Sequence, residues 1–155
     1  MEAIRRNCEP ERAAMVSAHV TLMFGTDRMD PAQVTDIARE IAQGGSPFEV
    51  AFDAPYTQGR EDDGLSRAFL AVNEGKETLV QLYGMLADAI GMPRRSFKPH
   101  LTLATTNDTG RVAAALDAAN ALPLPIEARI DALTVAQLTG VTVTEVACLA
   151  LPTGP

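Results

Sequence analysis

Two stretches of the chain share one pattern: AHVTLMF at residues 18–24 and FKPHLTLA at residues 97–104. In each stretch a histidine is followed by an apolar residue, a threonine and a leucine, and His19 and His100 are the two histidines of the 155-residue sequence. Because threonine and leucine each make up about a tenth of the chain, the chance that both histidines fall in this pattern is roughly one in ten thousand. The pattern therefore indicates a functional pair rather than two unrelated side chains.

The alternation within each motif is typical of a β-strand. Residues i and i+2 of a strand point to the same face, so His19 shares a face with Thr21, and His100 shares a face with Thr102. The apolar residues between them point towards a core. The two copies lie 81 residues apart, and each is followed by a predicted helix and a predicted strand at similar distances. This repeat predicts two lobes of approximate twofold symmetry, whose polar strand faces meet in a cleft.

Helix and strand signals alternate irregularly along the chain. Asp30 is a candidate N-cap, Pro31 suits the first helical position and Gln33 completes a capping box. The predicted helices span residues 31–43, about 75–90 and about 109–121, and residues 2–7 are predicted to be the end of another helix. The predicted strands span residues 18–24, 48–53, 67–73, 100–105, 126–137 and 141–151. Residues 54–66 are predicted to form a long polar loop, and the last two strands a hairpin around Gly140. This order predicts an α+β fold rather than a regular parallel alternation.

The composition excludes several classes of protein. Thirteen Lys and Arg stand against 20 Asp and Glu, a net charge of −7, whereas proteins that coat duplex nucleic acid are usually basic. A local cationic pocket remains compatible with this balance, because residues 92–103 carry Arg94, Arg95 and Lys98 and no acid. The sequence has neither a membrane-spanning apolar run nor the apolar block of a signal peptide. The two cysteines, Cys8 and Cys148, predict no disulfide framework, so a reducing, cytoplasmic setting is expected.

The paired histidines suit phosphodiester chemistry. Imidazole exchanges protons near neutral pH, so one histidine can deprotonate a nucleophile while the other protonates a leaving oxygen. The hydroxyls of Thr21 and Thr102 can donate hydrogen bonds to the non-bridging oxygens, and Lys98 can add a positive charge beside them. Two histidines without a neighbouring carboxylate or thiol provide too few ligands for a zinc site, which normally has at least three from the protein. We therefore expect neither a metal nor a cofactor. Cys148 lies in an apolar run and is expected to be buried and inert.

The two motif blocks resemble those of the two-histidine (2H) phosphoesterase superfamily, the group of 2'-5' RNA ligases and cyclic phosphodiesterases. The resemblance extends from about Pro10 to Leu151 and implies two pseudo-symmetric lobes of antiparallel sheet backed by helices around a central cleft. It also implies a metal-independent phosphoesterase or ligase acting on 2',3'-cyclic or 2'-5' phosphodiester groups of RNA ends or small nucleotides. In that interpretation His19 and His100 are catalytic, and Thr21, Thr102, Lys98 and Tyr56 bind the substrate. Residues 1–155 are then one two-lobed domain.

The chain departs from the family pattern at three places. The family usually begins with a strand and a helix before the first motif, whereas 18 residues precede His19 here. The first lobe then lacks that strand, takes one from a partner in a homo-oligomer that covers the sheet edge, or is truncated. Lys98 stands where arginine is frequent, and residues 140–143 lack the aromatic side chain common in the last hairpin. Tyr56, in the predicted loop, is the aromatic residue that we expect to face the cleft.

Two other functions remain open at this point. The same scaffold could serve as a non-catalytic module that binds nucleotides or RNA ends, which the short N-terminus and the missing aromatic favour. The chain could also be an acidic scaffold whose histidines are structural, in which case they are buried and do not titrate near neutral pH. The intact motifs favour the enzyme over both.

Overall fold

The computed structural model describes residues 1–24, 29–59 and 63–154 of the chain. The described helices are α1 (Glu2–Cys8), α2 (Pro10–Met15), α3 (Pro31–Gln43), α4 (Lys76–Ile90) and α5 (Thr109–Asn120). The strands are β1 (Phe48–Gln58), β2 (Ser66–Val72), β3 (His100–Thr106), β4 (Ile126–Ile130), β5 (Ala132–Thr139) and β6 (Thr142–Ala150). Helices combined with antiparallel strand pairs confirm the predicted α+β class.

The strands form two sheets, one with the order β3-β2-β1-β4 and one formed by β5 and β6. The β5–β6 pair is the predicted hairpin, and Gly140 at its turn has a φ of +62°. The chain also divides into two compact units, each made of three segments that alternate along the sequence. Unit 1 comprises Met1–Thr21, Ala51–Glu74 and Lys98–Glu127, and unit 2 comprises Leu22–Val50, Gly75–Phe97 and Ala128–Pro155.

In unit 1 the sheet is covered on one face by helices. Helix α5 packs against β2 and β3, and α1 packs against α5 and β3. The strand side chains Leu70, Leu101 and Leu103 are at most 2% exposed, and full burial of such a side chain stabilises the fold by about 1.5–3 kcal/mol. The buried residues of α5 are small: Val112, Ala115 and Ala119. One face of the sheet therefore belongs to the core.

Unit 2 has its own apolar core and the predicted capping box. The Asp30 carboxylate accepts a hydrogen bond from the Ala32 N–H at 2.9 Å, and the Gln33 side chain accepts one from the Asp30 N–H at 3.4 Å. This arrangement satisfies donors that the first turn of α3 leaves without helical partners. The core cluster joins α3, α4, β5 and the chain after β6 through the buried residues Ile41, Ala42, Leu82, Leu86, Leu133 and Leu151.

Three strand predictions differ from the structure. Residues 18–24 form no strand and pair through one β-bridge, between Val20 and Leu101. Residues 54–58, predicted as loop, belong to β1 because they pair with residues 67–71 of β2. The predicted strand 126–137 is divided at Asp131, whose carbonyl instead accepts the Leu151 N–H at 2.8 Å.

Two further predictions concern the N-terminus and the polar loop. Residues 1–18, all of them described, contain α1 and α2 and no strand. The first helix confirms the helical tail predicted for residues 2–7. Residues 60–62 of the predicted loop lie outside the described residues.

We expect Gly75→Ala to destabilise the protein more than Gly91→Ala. Both glycines flank α4 with positive φ, +75° and +71°, so alanine is strained at either position, by about 1–2 kcal/mol. At Gly75 a Cβ would also lie 2.4 Å from the Glu49 carbonyl oxygen, whereas at Gly91 it would meet nothing within 4 Å. That overlap should add about 1–3 kcal/mol.

Urea denaturation of both variants measures this difference. Equal losses of unfolding free energy at the two positions would contradict the close approach of Gly75 to β1.

Candidate functional site

The bridge between Val20 and Leu101 places the two motifs side by side. It is antiparallel, so the residues on either side of it pair in opposite order, and the histidine of each motif lies across from the threonine of the other. The pairs are His19 with Thr102, and Thr21 with His100. Because Leu101 is buried in the helix-covered layer, His100 and Thr102 point to the opposite sheet face, and the pairing places Thr21 and His19 beside them. We call His19, Thr21, His100 and Thr102 the histidine face.

The histidines and threonines of both motifs lie in the same unit. His19, Thr21, His100 and Thr102 all belong to unit 1, which includes the chain up to Thr21 and from Lys98 onwards. The backbone pairing of Val20 with Leu101 brings the two segments together. A sequence repeat identifies equivalent segments, but it does not specify which of them pair.

Both histidines make the same hydrogen bond. The Nδ1 atom of His19 lies 2.7 Å from the carbonyl oxygen of Ser17, and that of His100 lies 2.8 Å from the carbonyl oxygen of Lys98. A carbonyl oxygen only accepts, so Nδ1 carries the proton in both rings. In the neutral rings Nε2 is therefore the atom with the free lone pair. The two imidazoles are thus fixed in the same tautomer by the residue two positions earlier.

An aromatic row adjoins the histidine face. Tyr56 on β1 pairs with Phe69 on β2, which in turn pairs with Thr102 on β3. The Phe69 ring centroid lies 4.1 Å from that of His100 and 5.2 Å from that of Tyr56. Burial raises the pKa of Tyr56, so its hydroxyl remains a donor at neutral pH. Phe69 was missed because it lies in an apolar run, SRAFLAV, that is typical of a core strand.

The charges around His19 come from the N-terminal helices. Desolvation by the surrounding protein lowers its pKa, and the charges of Arg5 and Arg12 lower it further. The hydrogen bond to the Ser17 carbonyl and the charge of Glu2 act in the opposite direction. The balance favours the neutral ring, although part of the side chain remains exposed to solvent.

The cations before the second motif have different surroundings. Lys98 is exposed, and its backbone carbonyl is the acceptor for His100. Arg94 forms an ion pair with Asp88 on α4, so its charge is partly compensated. The Arg95 N–H donates to the Tyr83 hydroxyl at 2.9 Å. Lys98 is therefore the cation nearest in sequence to the histidine face.

Other features of the described residues do not match this chemistry. A cavity of about 250 Å³ in unit 1 is bordered by Thr57, Gln58, Gly59, Ser66 and four residues of α5, none of them ionisable. No three histidine, cysteine, aspartate or glutamate side chains within residues 1–24, 29–59 and 63–154 are grouped to hold a metal ion. Cys148, expected to be buried, is exposed because its side of the β5–β6 hairpin faces solvent. No helix in the described part of the chain is long and apolar enough to cross a membrane.

The lowered pKa of His19 predicts that acid weakens the fold through this residue. The unfolded imidazole has a pKa of about 6.5, and the folded pKa is lower. Between the two values the unfolded chain binds a proton that the folded chain does not, so the free energy of unfolding falls as the pH drops below about 6.5. Above that pH the residue adds no pH dependence. His19→Gln should remove this part of the slope.

Urea denaturation of both proteins between pH 5 and 8 tests this sign. Burial raises the pKa of Glu9, which contributes with the opposite sign to both proteins and cancels in their difference. The same pH slope in wild type and His19→Gln would contradict the expectation.

Comparison with known proteins identifies the fold. The protein TT0787 of Thermus thermophilus has a TM-score of 0.60 and 17% identity, covering 97% of this chain and 93% of its own. A phosphoesterase crystal structure has a TM-score of 0.57 and 18% identity, covering 99% and 94%. E. coli LigT, crystallised with 3'-AMP, has a TM-score of 0.55 and 18% identity, also covering 99% and 94%. A search of curated proteins finds no significant match.

The sequence also matches a family model directly. The model of the 2'-5' RNA ligase superfamily matches residues 1–142, most of the chain and both motifs. The match agrees with the resemblance seen in the two motif blocks, and membership of this superfamily supports a function of the phosphoesterase or RNA-ligase type. The chain belongs to the 2'-5' RNA ligase superfamily.

Proposed function

We propose that this protein is a metal-independent phosphoesterase or ligase that acts on 2',3'-cyclic or 2'-5' phosphodiester groups of RNA ends or small nucleotides. The observation that carries the proposal is the matched pair of imidazoles. His19 and His100 lie on adjacent backbone segments, and each donates from Nδ1 to the carbonyl two residues earlier. General acid–base catalysis of a displacement at phosphorus requires two such groups.

The proposed reaction divides the proton transfers between the histidines. In hydrolysis of a cyclic phosphate, Nε2 of one ring accepts a proton from the attacking water as the new P–O bond forms. The other ring, protonated beforehand, gives its Nε2 proton to the leaving ribose oxygen as the old P–O bond breaks. His19 suits the accepting role, because its lowered pKa keeps it neutral near pH 7. In the ligating direction the two roles exchange.

The remaining groups of the proposed site bind the substrate. Thr21 and Thr102 alternate with the histidines on one face, so their hydroxyls can donate to the non-bridging phosphate oxygens, where transition-state charge is spread. Lys98 adds a positive charge in a chain whose net charge is −7. This local charge favours a small anionic ligand over long stretches of nucleic acid.

Tyr56 is the proposed contact for the nucleoside. Tyr56 is half-buried; it pairs with Phe69, which pairs with Thr102. Its ring therefore lies on the β1 side of the proposed phosphate-binding residues. An aromatic face or a phenolic hydroxyl there suits a base or a ribose. E. coli LigT was crystallised in complex with 3'-AMP, which supports a nucleotide as the class of ligand for this protein.

Replacement of either histidine should abolish most turnover. We expect His19→Ala and His100→Ala each to lower kcat on 2',3'-cyclic AMP by about 10²–10⁴-fold, because each removes one proton transfer. The double variant should lose less than the product of the two losses, since the residues act in one step. The loss in kcat is measured at saturating substrate. Turnover within a few-fold of wild type for either single variant would contradict the mechanism.

The threonines should contribute less than the histidines. Thr21→Val and Thr102→Val keep the shape of the side chain, remove one hydrogen bond to phosphate and should lower kcat/KM by about 10–10³-fold. Thr134→Val, at an exposed position of β5 in unit 2, is the matched control and should leave kcat/KM unchanged. A Thr102→Val enzyme as active as the control would remove this residue from the proposed site.

The same assay separates the enzyme from the binding module. Turnover of 2',3'-cyclic AMP that persists in EDTA supports a metal-independent enzyme. Tight binding of the nucleotide without turnover identifies a non-catalytic module instead. Turnover that EDTA abolishes would contradict the proposed mechanism, because no step of it uses a metal ion.

A further inference from the structure

Glu2 in the first turn of α1 contacts the backbone directly ahead of His19. Its Oε1 atom accepts a hydrogen bond from the backbone N–H of Ala18. Both of its carboxylate oxygens also accept hydrogen bonds from Nη1 of Arg5, at 3.1 and 3.2 Å. Arg5 is only 3% exposed, and a buried guanidinium requires a partner of opposite charge. The Glu2 carboxylate therefore joins a buried cation to the peptide that carries the first motif.

The remainder of the first motif has few other backbone restraints. It forms one β-bridge, at Val20, and no regular strand. His19 itself hydrogen-bonds to Ser17, which lies on the same short segment, so that bond moves with the segment. Besides the Val20 bridge, Glu2 supplies a second restraint from outside the segment, at the residue before His19.

We propose that Glu2 is a positioning residue for His19: its carboxylate binds both the Ala18 N–H and the buried Arg5 guanidinium, and so fixes where the imidazole lies on the histidine face. The proposal rests on the proposed function for its effect on turnover. Its structural part, the restraint on His19, does not.

The same carboxylate also offsets the cations around His19. Arg5 on α1 and Arg12 on α2 lower the pKa of His19, and Glu2 raises it. Other charged or titratable groups on the neighbouring segments include Glu9, His100 and Lys98. Glu9 is buried, accepts a hydrogen bond from the backbone N–H of Thr105 on β3 and lies 3.9 Å from Arg12. Loss of the Glu2 charge alone should therefore lower the pKa of His19 further.

Four variants separate the hydrogen bond from the charge. Glu2→Gln keeps an oxygen that can accept the Ala18 N–H but removes the charge, whereas Glu2→Ala removes both. The double variant Glu2→Ala/Arg5→Met removes the hydrogen bond without leaving an unpaired buried charge. Glu11→Gln, an exposed position on α2, is the matched charge control. A tag at the C-terminus leaves α1 unextended.

NMR titration of the His19 ring is the first measurement. We expect its midpoint to move to lower pH in Glu2→Gln and to stay unchanged in Glu11→Gln. A purely structural role for Glu2 would not produce this directional shift. His19 ring signals and a midpoint in Glu2→Ala that match those of Glu2→Gln overturn the proposal, because the Ala18 hydrogen bond then has no effect on the ring. This test needs no turnover, so it stands even if the protein proves to be a binding module.

Turnover of 2',3'-cyclic AMP is the second measurement. Glu2→Ala should lower kcat by up to about 100-fold with little change in KM, because the phosphate ligands stay in place while the imidazole does not. Glu2→Gln should retain most of the kcat. The double variant should lose as much kcat as Glu2→Ala while melting at a higher temperature. If the double variant regains wild-type kcat, Glu2 acts on stability alone and the proposal fails.

Discussion

The site depends on one antiparallel backbone contact, between Val20 and Leu101. Because side chains alternate along a strand, that single contact determines the side on which four polar residues emerge and which of them are neighbours. A shift of the pairing by one residue would turn one motif towards the helix-covered layer. The burial of Leu101 disfavours such a shift, since the slipped register would expose leucines and bury a histidine.

The two faces of the unit 1 sheet serve different purposes. One face is apolar and packed against α5 by small residues of that helix. The other carries imidazoles and hydroxyls, and Phe69 supports the His100 ring at 4.1 Å. Polar side chains on a sheet face cost little folding free energy when nearby groups satisfy their hydrogen bonds. The Nδ1 bonds to Ser17 and Lys98 meet that condition and leave each Nε2 available for chemistry.

The charge distribution is compatible with the proposed binding of a small anion by an acidic chain. The net charge of −7 belongs to the whole sequence, whereas the charged groups that shift the pKa of His19 are Arg5 and Arg12, which lower it, and Glu2, which raises it. Both arginines form i,i+3 pairs with glutamates, Arg5 with Glu2 and Arg12 with Glu9. Each of these glutamates also accepts a backbone N–H next to one motif. Two glutamates of the N-terminal segment thus hydrogen-bond to the backbone beside both motifs.

The sequence alone was enough to predict the α+β class and to propose the chemistry of the paired histidines. Paired His-x-Thr motifs can be recognised because a spacing of two residues is a local feature of the sequence, and the Asp30 capping box and the Gly140 hairpin are equally local. Tertiary contacts place the histidines and threonines of both motifs in unit 1, Tyr56 on a strand, and Phe69 and Glu2 beside the motifs. These features arise from contacts between residues distant in sequence, and no local pattern encodes which distant segments will pair. The sequence around Phe69 and Glu2 is that of an ordinary apolar strand and an ordinary helix, so it does not indicate that these residues lie beside the histidines.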